Sequence, residues 1–289
     1  MNNEMKIIMR GSRLLLLILL LFSFSTNLTA FAEETGDGTA AGEAVSEEKE
    51  TGFEPDEERW VLNELTNGNI WNYKDCLVFI PAECNEDTTC SVYFGGGTGG
   101  WVLRNDLTYM YLKYLTPNVV SIWYKNSGIY QMPERVERTA QLLEDLEKET
   151  GVDTGKISIT SSSNGCYTAI YAASHLISDF GIEVDTVVLL DMGADWLKTE
   201  YIITEEEAQP LIDMGTTVYH FGRSNDKLLS HPGAKQFSDY GVRFVDVKSI
   251  DRDHDRISRH AYKYGVFSWA AGETDQLRED YYTFVPVNF

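Results

Sequence analysis

Residues 156–165 read KISITSSSNG, and an apolar helical pattern follows them from Cys166. This order predicts a strand over 156–160, then a tight turn of small residues, then a helix. A buried strand that passes directly into a helix is typical of domains in which helices join parallel strands. The segment therefore places the chain among α/β proteins.

The same alternation extends to both sides of this segment. Nearly uninterrupted apolar runs predict strands that are buried on both faces, and apolar stripes predict helices between them. The predicted strands are 76–81, 90–94, 119–124, 156–160, 186–190, 216–221 and 243–247. Helices are predicted from Pro133, from Cys166, near Asp106, and from Asp255 towards Gly272. The expected fold class is α/β, with a mostly parallel central sheet and helices on both faces.

The first 32 residues have the pattern of a secretory signal peptide. A basic stretch ends at Arg13, an apolar run extends from Leu14 to Phe24, and Ala30 and Ala32 suit signal peptidase. An uncleaved anchor is the alternative, although the apolar run is shorter than the roughly 20 residues that span a bilayer. We expect a secreted or extracytoplasmic protein without stable membrane insertion after signal cleavage.

Residues 33–59 are acidic and have Phe53 as their only aromatic residue. Such a composition cannot offset the entropy cost of ordering the chain. It predicts a disordered, solvated stalk, with weak contact to calcium or the cell wall as the alternative. The folded domain is then expected over residues 60–289.

The overall composition excludes some classes of partner. The formal net charge is −21 at pH 7. A strongly negative surface repels nucleic acid and anionic membranes, so neither is an expected partner. Hydrophobic residues make up 43% of the chain, enough for a substantial core, which excludes disorder throughout.

The cysteines fall into two pairs. Cys84 and Cys90 flank a short polar loop, and in an oxidising compartment we expect a disulfide between them. Cys76 and Cys166 lie in apolar patterns that predict free, buried thiols.

The turn after strand 156–160 carries the strongest chemical signal. A nucleophile elbow holds a strained serine between a strand and a helix, with small residues two positions before and after it. Counting back from Gly165 selects Ser163 as the nucleophile, with Ser161 where glycine is more usual. The helix start directs the Asn164 amide at a developing oxyanion. A serine-rich loop that only caps the helix is the alternative.

A glycine-rich run over residues 95–100 follows an earlier predicted strand. Glycines let the backbone approach a bound group closely and offer its amides. A second oxyanion donor is therefore expected from Gly96, Gly97 or Thr98. A phosphate-binding loop is the alternative, but its Gly-Lys-Ser/Thr ending is absent because Trp101 follows.

Together these features resemble the α/β-hydrolase superfamily over roughly residues 74–272. That family has a glycine-rich oxyanion loop after an early strand, a serine elbow, then an acid and then a histidine. The resemblance implies a serine hydrolase of the esterase kind, which forms an acyl-enzyme and requires no metal or cofactor.

In this family the acid commonly follows the second strand after the elbow. That place corresponds to the loop after 216–221, which makes Asp226 the expected triad acid. Asp191 and Asp195 follow the preceding strand, in the less usual acid position, and remain alternatives. Each of the three could instead cap a turn.

The family's histidine lies after the last strand. His254 follows the predicted strand 243–247 and is therefore the expected general base. His231 remains an alternative. His260, inside the following helix, is expected to be a surface or packing residue, and His220, inside a strand, a core residue.

The expected reaction follows from the chemistry of these groups. His254 takes the proton of Ser163 as the hydroxyl attacks a carbonyl carbon, while Asp226 orients the imidazole and stabilises its charged form. Backbone amides bind the oxyanion, and water then releases the acyl group.

Three aspartates at alternate positions, Asp251, Asp253 and Asp255, resemble part of a calcium loop. Metal binding there is an alternative role for this segment. The rest of the ligand pattern, including the distal glutamate, is missing, so no metal site is expected.

The segment before the acid-bearing strand is short. Residues 194–215 have room for one helix and a turn, so we expect an open site with minimal or no lid. Trp101 and Trp196 are the expected substrate-binding residues at its rim, where they could stack on a sugar or an aromatic acyl group. Ordinary packing is the alternative for both.

The leading hypothesis is a secreted serine esterase that acts on a small-molecule or polymer-linked carboxylic ester. An exported serine peptidase with the same triad is the first alternative. The second is a non-catalytic cell-surface binding protein that has kept the fold, since fold alone does not determine function.

Overall fold

The computed structural model describes residues 54–55, 68–73, 76–85, 87–96, 119–124, 128, 131–192, 203–224, 232–272, 274 and 277–285. All of them belong to one unit, Lys49–Phe289. The predicted signal peptide and most of the predicted stalk lie outside the described residues.

Ten strands form a single sheet within this part of the chain. They are β1 (Glu54–Pro55), β2 (Gly68–Tyr73), β3 (Cys76–Pro81), β4 (Thr89–Phe94), β5 (Val119–Tyr124), β6 (Lys156–Ser162), β7 (Glu183–Leu190), β8 (Thr217–Gly222), β9 (Arg243–Ser249) and β10 (Tyr282–Val285). The inner strands are rich in valine and isoleucine, which suit a pleated surface that is covered on both sides.

Six helices accompany these strands in the described residues. They are α1 (Met132–Thr150), α2 (Gly165–Phe180), α3 (Glu205–Met214), α4 (Pro232–Asp239), α5 (His254–Lys263) and α6 (Val266–Ala270). Pro133 lies in the first turn of α1, and Gly151 ends that helix in the left-handed conformation with φ 72°. None of these described helices is both long and apolar enough to cross a bilayer.

The strand order is β1-β2-β3-β5-β4-β6-β7-β8-β9-β10. Strands β4 to β9 all run parallel, whereas β1, β2, β3 and β10 join through antiparallel pairings. The chain passes from β4 to β5 on one side and then crosses to β6 on the other. Such a switch point opens a crevice at the carboxyl ends of the strands.

Each face of the sheet is covered by its own hydrophobic cluster. Helices α1, α2 and α3 cover one face through residues such as Leu143, Ile170 and Leu211. Helices α5 and α6 cover the other face through residues such as Ile257 and Phe267. The sheet is therefore buried on both sides, as its apolar strands require.

The structure confirms the predicted mostly parallel sheet and extends it at both edges. All seven predicted strands are present with small changes at their ends. Strands β2 and β10 were not predicted, and β1 lies inside the segment expected to be a disordered stalk. The predicted last helix is two helices, α5 and α6, separated at Gly265, which has φ 81°. The predicted helix near Asp106 lies outside the described residues.

The expected disulfide between Cys84 and Cys90 is wrong, because both cysteines are free. Cys90 is buried inside β4, with 1% of its surface exposed. The Cys84 thiol instead donates to the Pro81 carbonyl over 3.7 Å. The polar loop between them is closed by its own hydrogen bonds, such as Thr88 N to Asn85 O at 3.0 Å.

Candidate active site

Ser163 occupies a strained turn between β6 and α2. Its φ is +50°, a left-handed value that side chains other than glycine seldom adopt. The Ser163 amide donates to Leu190 O at the end of β7 over 3.0 Å, which anchors the turn to the neighbouring strand. Ser163 is half-buried, so it lies at the edge of the core and not inside it.

Two glycines allow the chain to pack tightly around this turn. A Cβ atom on Gly165 would lie 2.3 Å from Phe94 O, and one on Gly96 would lie 2.9 Å from Ser163 Cβ. Neither distance is compatible with a side chain. The glycine two residues after Ser163 is thus required by close backbone approach between α2 and the end of β4.

The two serines before Ser163 are bound into the sheet. Ser161 Oγ donates to Val188 O over 3.0 Å. Ser162 Oγ shares a hydrogen bond of 2.8 Å with Tyr93 Oη and accepts the Gly96 amide at 3.0 Å. The Gly96 amide, expected to face an oxyanion, is therefore engaged with Ser162. The other two expected donors on that loop, Gly97 and Thr98, lie outside the described residues.

Asn164 precedes the first residue of α2 and has helical torsions, φ −66° and ψ −24°. Within the described part of the chain, its backbone amide has no acceptor. Amides in the first turn of a helix have no partner inside the helix, and the positive end of the helix dipole adds to their field. This position can therefore offer a hydrogen bond to an anion next to Ser163.

The described acid partner of His254 is Asp191. His254 is the first residue of α5, and its Nδ1 donates to Asp191 Oδ2 over 2.5 Å. Asp191 directly follows β7 and is 1% exposed, whereas the His254 side chain is 44% exposed. Asp226, the expected acid, lies outside the described residues, as do the alternatives Asp195 and His231.

Asp191 is held rigidly at the end of its strand. Its φ is +46°, the second positive value at a residue other than glycine among the described residues. Its amide donates to Phe221 O over 2.8 Å. On the other side of the carboxylate, Arg223 Nε lies 3.3 Å from Asp191 Oδ1. The carboxylate thus lies between an imidazole and a guanidinium.

Ser163 and the hydrogen-bonded pair of Asp191 and His254 lie along the same edge of the sheet. Ser163 follows β6 and is bonded through its amide to Leu190, which immediately precedes Asp191. Asp191 in turn accepts the hydrogen bond from His254. Because β6 and β7 are adjacent parallel strands, their carboxyl ends lie side by side.

The remaining described histidines have other partners. His220 is 1% exposed and lies 3.2 Å from Asp246 Oδ1, in agreement with the core position expected for it. His260 Nδ1 lies 3.0 Å from both carboxylate oxygens of Asp251, which also accepts a hydrogen bond from Tyr281. The Asp251 carboxylate therefore has protein partners. No cluster of three candidate metal ligands occurs among the described residues.

The expected substrate-binding residues are not described. Trp101 and Trp196 both lie outside the described residues. Helix α3 lies within the short segment 194–215 before β8, and Thr204 and Glu207 form a capping box at its start. The sequence did not predict Arg223 as a site residue. Its position directly after β8, at the edge that carries the site, could have indicated it.

Comparison with known proteins gives similarities in structure alone. No protein-family model matches the chain, and no curated protein matches its sequence. Fungal esterases from Rhizomucor miehei are similar with 14% identity, 72% of this chain and 79% of theirs covered, and a TM-score of 0.49. The described residues themselves have an α/β fold, with a mostly parallel sheet and helices on both of its faces.

Two further solved structures show a similar degree of likeness. A thermophilic carboxylesterase from a metagenomic library has 16% identity over 76% of this chain and 96% of its own, with a TM-score of 0.46. Brefeldin A esterase, a bacterial homologue of human hormone-sensitive lipase, has 14% identity over 71% of this chain and 72% of its own, with a TM-score of 0.47.

Proposed function

We propose that this α/β chain is a serine hydrolase of the α/β-hydrolase superfamily that cleaves carboxylic esters through Ser163, His254 and Asp191. The observation that carries the proposal is the hydrogen bond from His254 to the buried Asp191, beside the strained turn of Ser163. We therefore propose Asp191, in place of the expected Asp226, as the triad acid. A histidine that is oriented by a buried carboxylate can act as the base for a neighbouring hydroxyl.

The reaction proceeds in two halves. The Ser163 oxygen forms a bond to the ester carbonyl carbon while His254 Nε2 takes the hydroxyl proton. The tetrahedral intermediate collapses, the alkoxide leaves with the proton from His254, and the acyl group stays on Ser163. Water then attacks this acyl-enzyme, with His254 again as base, and releases the carboxylic acid and free serine.

Asp191 has two roles in this scheme. Its hydrogen bond to Nδ1 selects the tautomer in which Nε2 carries no proton and can act as the base, and its charge stabilises the imidazolium that forms. The Asn164 amide supplies one hydrogen bond to the oxyanion. We assign the second donor to Gly97 or Thr98, since the Gly96 amide is bound to Ser162.

Esters are the proposed substrate class because an alkoxide leaves a tetrahedral intermediate more readily than an amide nitrogen does. We further propose that Trp101 and Trp196 contact the substrate at the rim of the site.

We also propose that residues 1–32 are a signal peptide and that the enzyme is secreted. Its mature N-terminus is expected at Glu33. N-terminal sequencing of the exported protein tests that cleavage.

The experiment that tests the function measures turnover of short p-nitrophenyl esters and of a peptide amide panel. Wild type should hydrolyse the esters, and Ser163→Ala should lose about 10³-fold or more in kcat. Ser178→Ala, an exposed serine on the same helix, is the matched control and should retain full activity.

Other outcomes contradict the proposal in distinct ways. Turnover of amides without esters would make the chain a serine peptidase. No turnover of either panel by folded wild type would favour a binding protein that has kept the fold. Ester turnover that survives Ser163→Ala would remove Ser163 as nucleophile.

A further inference from the structure

Arg223 is the first residue after β8 and lies in a segment that is anchored on both sides. Before it, Phe221 O accepts the Asp191 amide over 2.8 Å. After it, the Ser224 amide donates over 2.8 Å to Asp251 O, on the loop that leads to His254. The backbone of Arg223 is therefore held between the two segments that carry the acid and the base.

The side chain of Arg223 reaches the oxygen of Asp191 that His254 does not use. Arg223 Nε lies 3.3 Å from Oδ1, and His254 Nδ1 lies 2.5 Å from Oδ2. Asp191 is 1% exposed, so water cannot solvate its charge, and a buried carboxylate needs a paired cation. A neutral imidazole supplies a hydrogen bond but no charge, whereas a guanidinium supplies a permanent charge.

We propose that Arg223 is a positioning residue of the site, whose charge balances the Asp191 carboxylate and opposes the second positive charge that forms when His254 takes a proton. This inference rests on the proposed function, in which neutral His254 is the working base. It assigns Arg223 a defined consequence: the enzyme stays active at lower pH than it would without the guanidinium.

The physical basis is the competition of two cations for one carboxylate. A nearby like charge disfavours protonation of an imidazole, and a nearby carboxylate favours it. Arg223 therefore offsets part of the attraction that Asp191 exerts on the imidazolium. Because His254 is nearly half exposed, solvent screens the effect of the guanidinium. We expect Arg223 to lower the pH at which His254 is half protonated by about half to one pH unit.

Within the described part of the chain, the segment of His254 carries further charged groups of its own. Arg252, Asp253 and Arg256 are exposed, so solvent screens their effects. Asp251 is bound to His260 and Tyr281. From the ends of β7 and β8, Asp191 contacts the imidazole and Arg223 contacts Asp191.

The test compares the pH dependence of kcat/KM for wild type, Arg223→Met and Arg223→Lys on a p-nitrophenyl ester. In Arg223→Met the acidic midpoint should rise by about half to one pH unit, and in Arg223→Lys it should stay within about 0.2 units of wild type. KM should change little. Arg243→Gln, at the opposite end of β9, is the matched control for loss of one positive charge and should leave the midpoint unchanged.

A second readout does not depend on activity. The histidine ring signals can be titrated by NMR, with His254→Gln to assign the resonance. In Arg223→Met the titration midpoint of His254 should rise by the same amount as the midpoint of activity. Arg223→Gln, a neutral side chain of different volume, should reproduce it, so that a folding defect in one variant does not decide the result.

The outcomes separate this inference from the proposed function. A lower kcat with an unchanged midpoint in both neutral variants would reduce Arg223 to a structural role and overturn the inference. A shift that also appears with Arg243→Gln would overturn it as well. If Ser163→Ala keeps full ester turnover, the proposed function fails, whereas the NMR titration still reports on Arg223 and His254.

Discussion

His254 Nδ1 lies 2.5 Å from Asp191 Oδ2, although the two residues are 63 positions apart in the chain. The hydrogen bond joins the carboxyl end of β7 to the loop between β9 and α5. It places the carboxylate partner of His254 one strand earlier than the loop after β8, where the sequence predicted the acid. The two side chains therefore meet across the end of β8.

The first prediction concerns this acid. Asp191→Asn keeps the shape of the side chain but removes the charge and disturbs the tautomer of His254. We expect kcat for ester hydrolysis to fall by about 10³- to 10⁴-fold, measured by steady-state kinetics near neutral pH.

Asp226→Asn is the matched control for that measurement and should lower kcat less than about threefold, well below the loss expected from a missing triad acid. A large loss with Asp226→Asn and near-normal activity with Asp191→Asn would restore the acid expected from the sequence.

The second prediction concerns the close packing at the elbow. In Gly165→Ala the new methyl group would lie 2.3 Å from Phe94 O, a backbone atom that cannot move without shifting β4. We expect a stability loss of about 1–3 kcal/mol, measured by urea unfolding, and reduced activity.

Gly155→Ala is the comparison variant, because its Cβ would meet only the Asp153 side chain, at 3.1 Å. It should change the free energy of unfolding by less than about 1 kcal/mol. Equal effects of the two substitutions would mean that the elbow is not tightly packed.

The third prediction concerns the thiols. Burial raises the pKa of both Cys90 and Cys166 to about 12, so each remains protonated at pH 8 and unreactive in the native protein. Iodoacetamide should leave both unmodified in folded protein. After unfolding without reductant, all four cysteines should react, because all are free; a pair that reacts only after reduction would contradict this.

The fourth prediction concerns acid stability. Asp246 is buried, which raises its pKa, but hydrogen bonds from His220 and Lys248 outweigh burial and leave the pKa below its usual value. A lowered native pKa stabilises the fold above the unfolded pKa, about 4, and this contribution is lost as pH falls below that value.

Urea unfolding between pH 6 and pH 3 checks this. Wild type should lose more stability across that range than Asp246→Asn, which has no carboxyl group to titrate at this position. Parallel losses in the two proteins would show that the charge of Asp246 does not contribute to the pH dependence.

The sequence predicted the inner sheet well because the inner strands carry an unambiguous signal. Runs such as β3 and residues 187–190 of β7 are apolar on both faces, and no other local structure suits them as well. Strand β2 was missed because Asn69 and Asn72 interrupt its apolar pattern. As an outer strand it can tolerate polar residues, and its pairing with β3 depends on tertiary contact.

The candidate site was predictable in its types of residue but not in every partner. Ser163 follows from local spacing, because its strain and its small neighbours are encoded within a few positions. The acid is different, since Asp191 and Asp226 each follow a buried strand that ends at the same edge. Which carboxylate contacts His254 depends on how the loops fold in three dimensions. The contact between Arg223 and Asp191 also depends on how the loops fold, so the sequence could not predict it.

The most direct test of Ser163 as the nucleophile is the site of covalent labelling by a fluorophosphonate probe. Such a probe reacts with an activated serine and forms a stable phosphonyl ester, and peptide mass spectrometry then locates it. We predict one modified residue, Ser163, with labelling abolished by His254→Gln. Labelling of Ser161 or Ser162 instead, or no labelling of folded wild type, would contradict the proposed nucleophile.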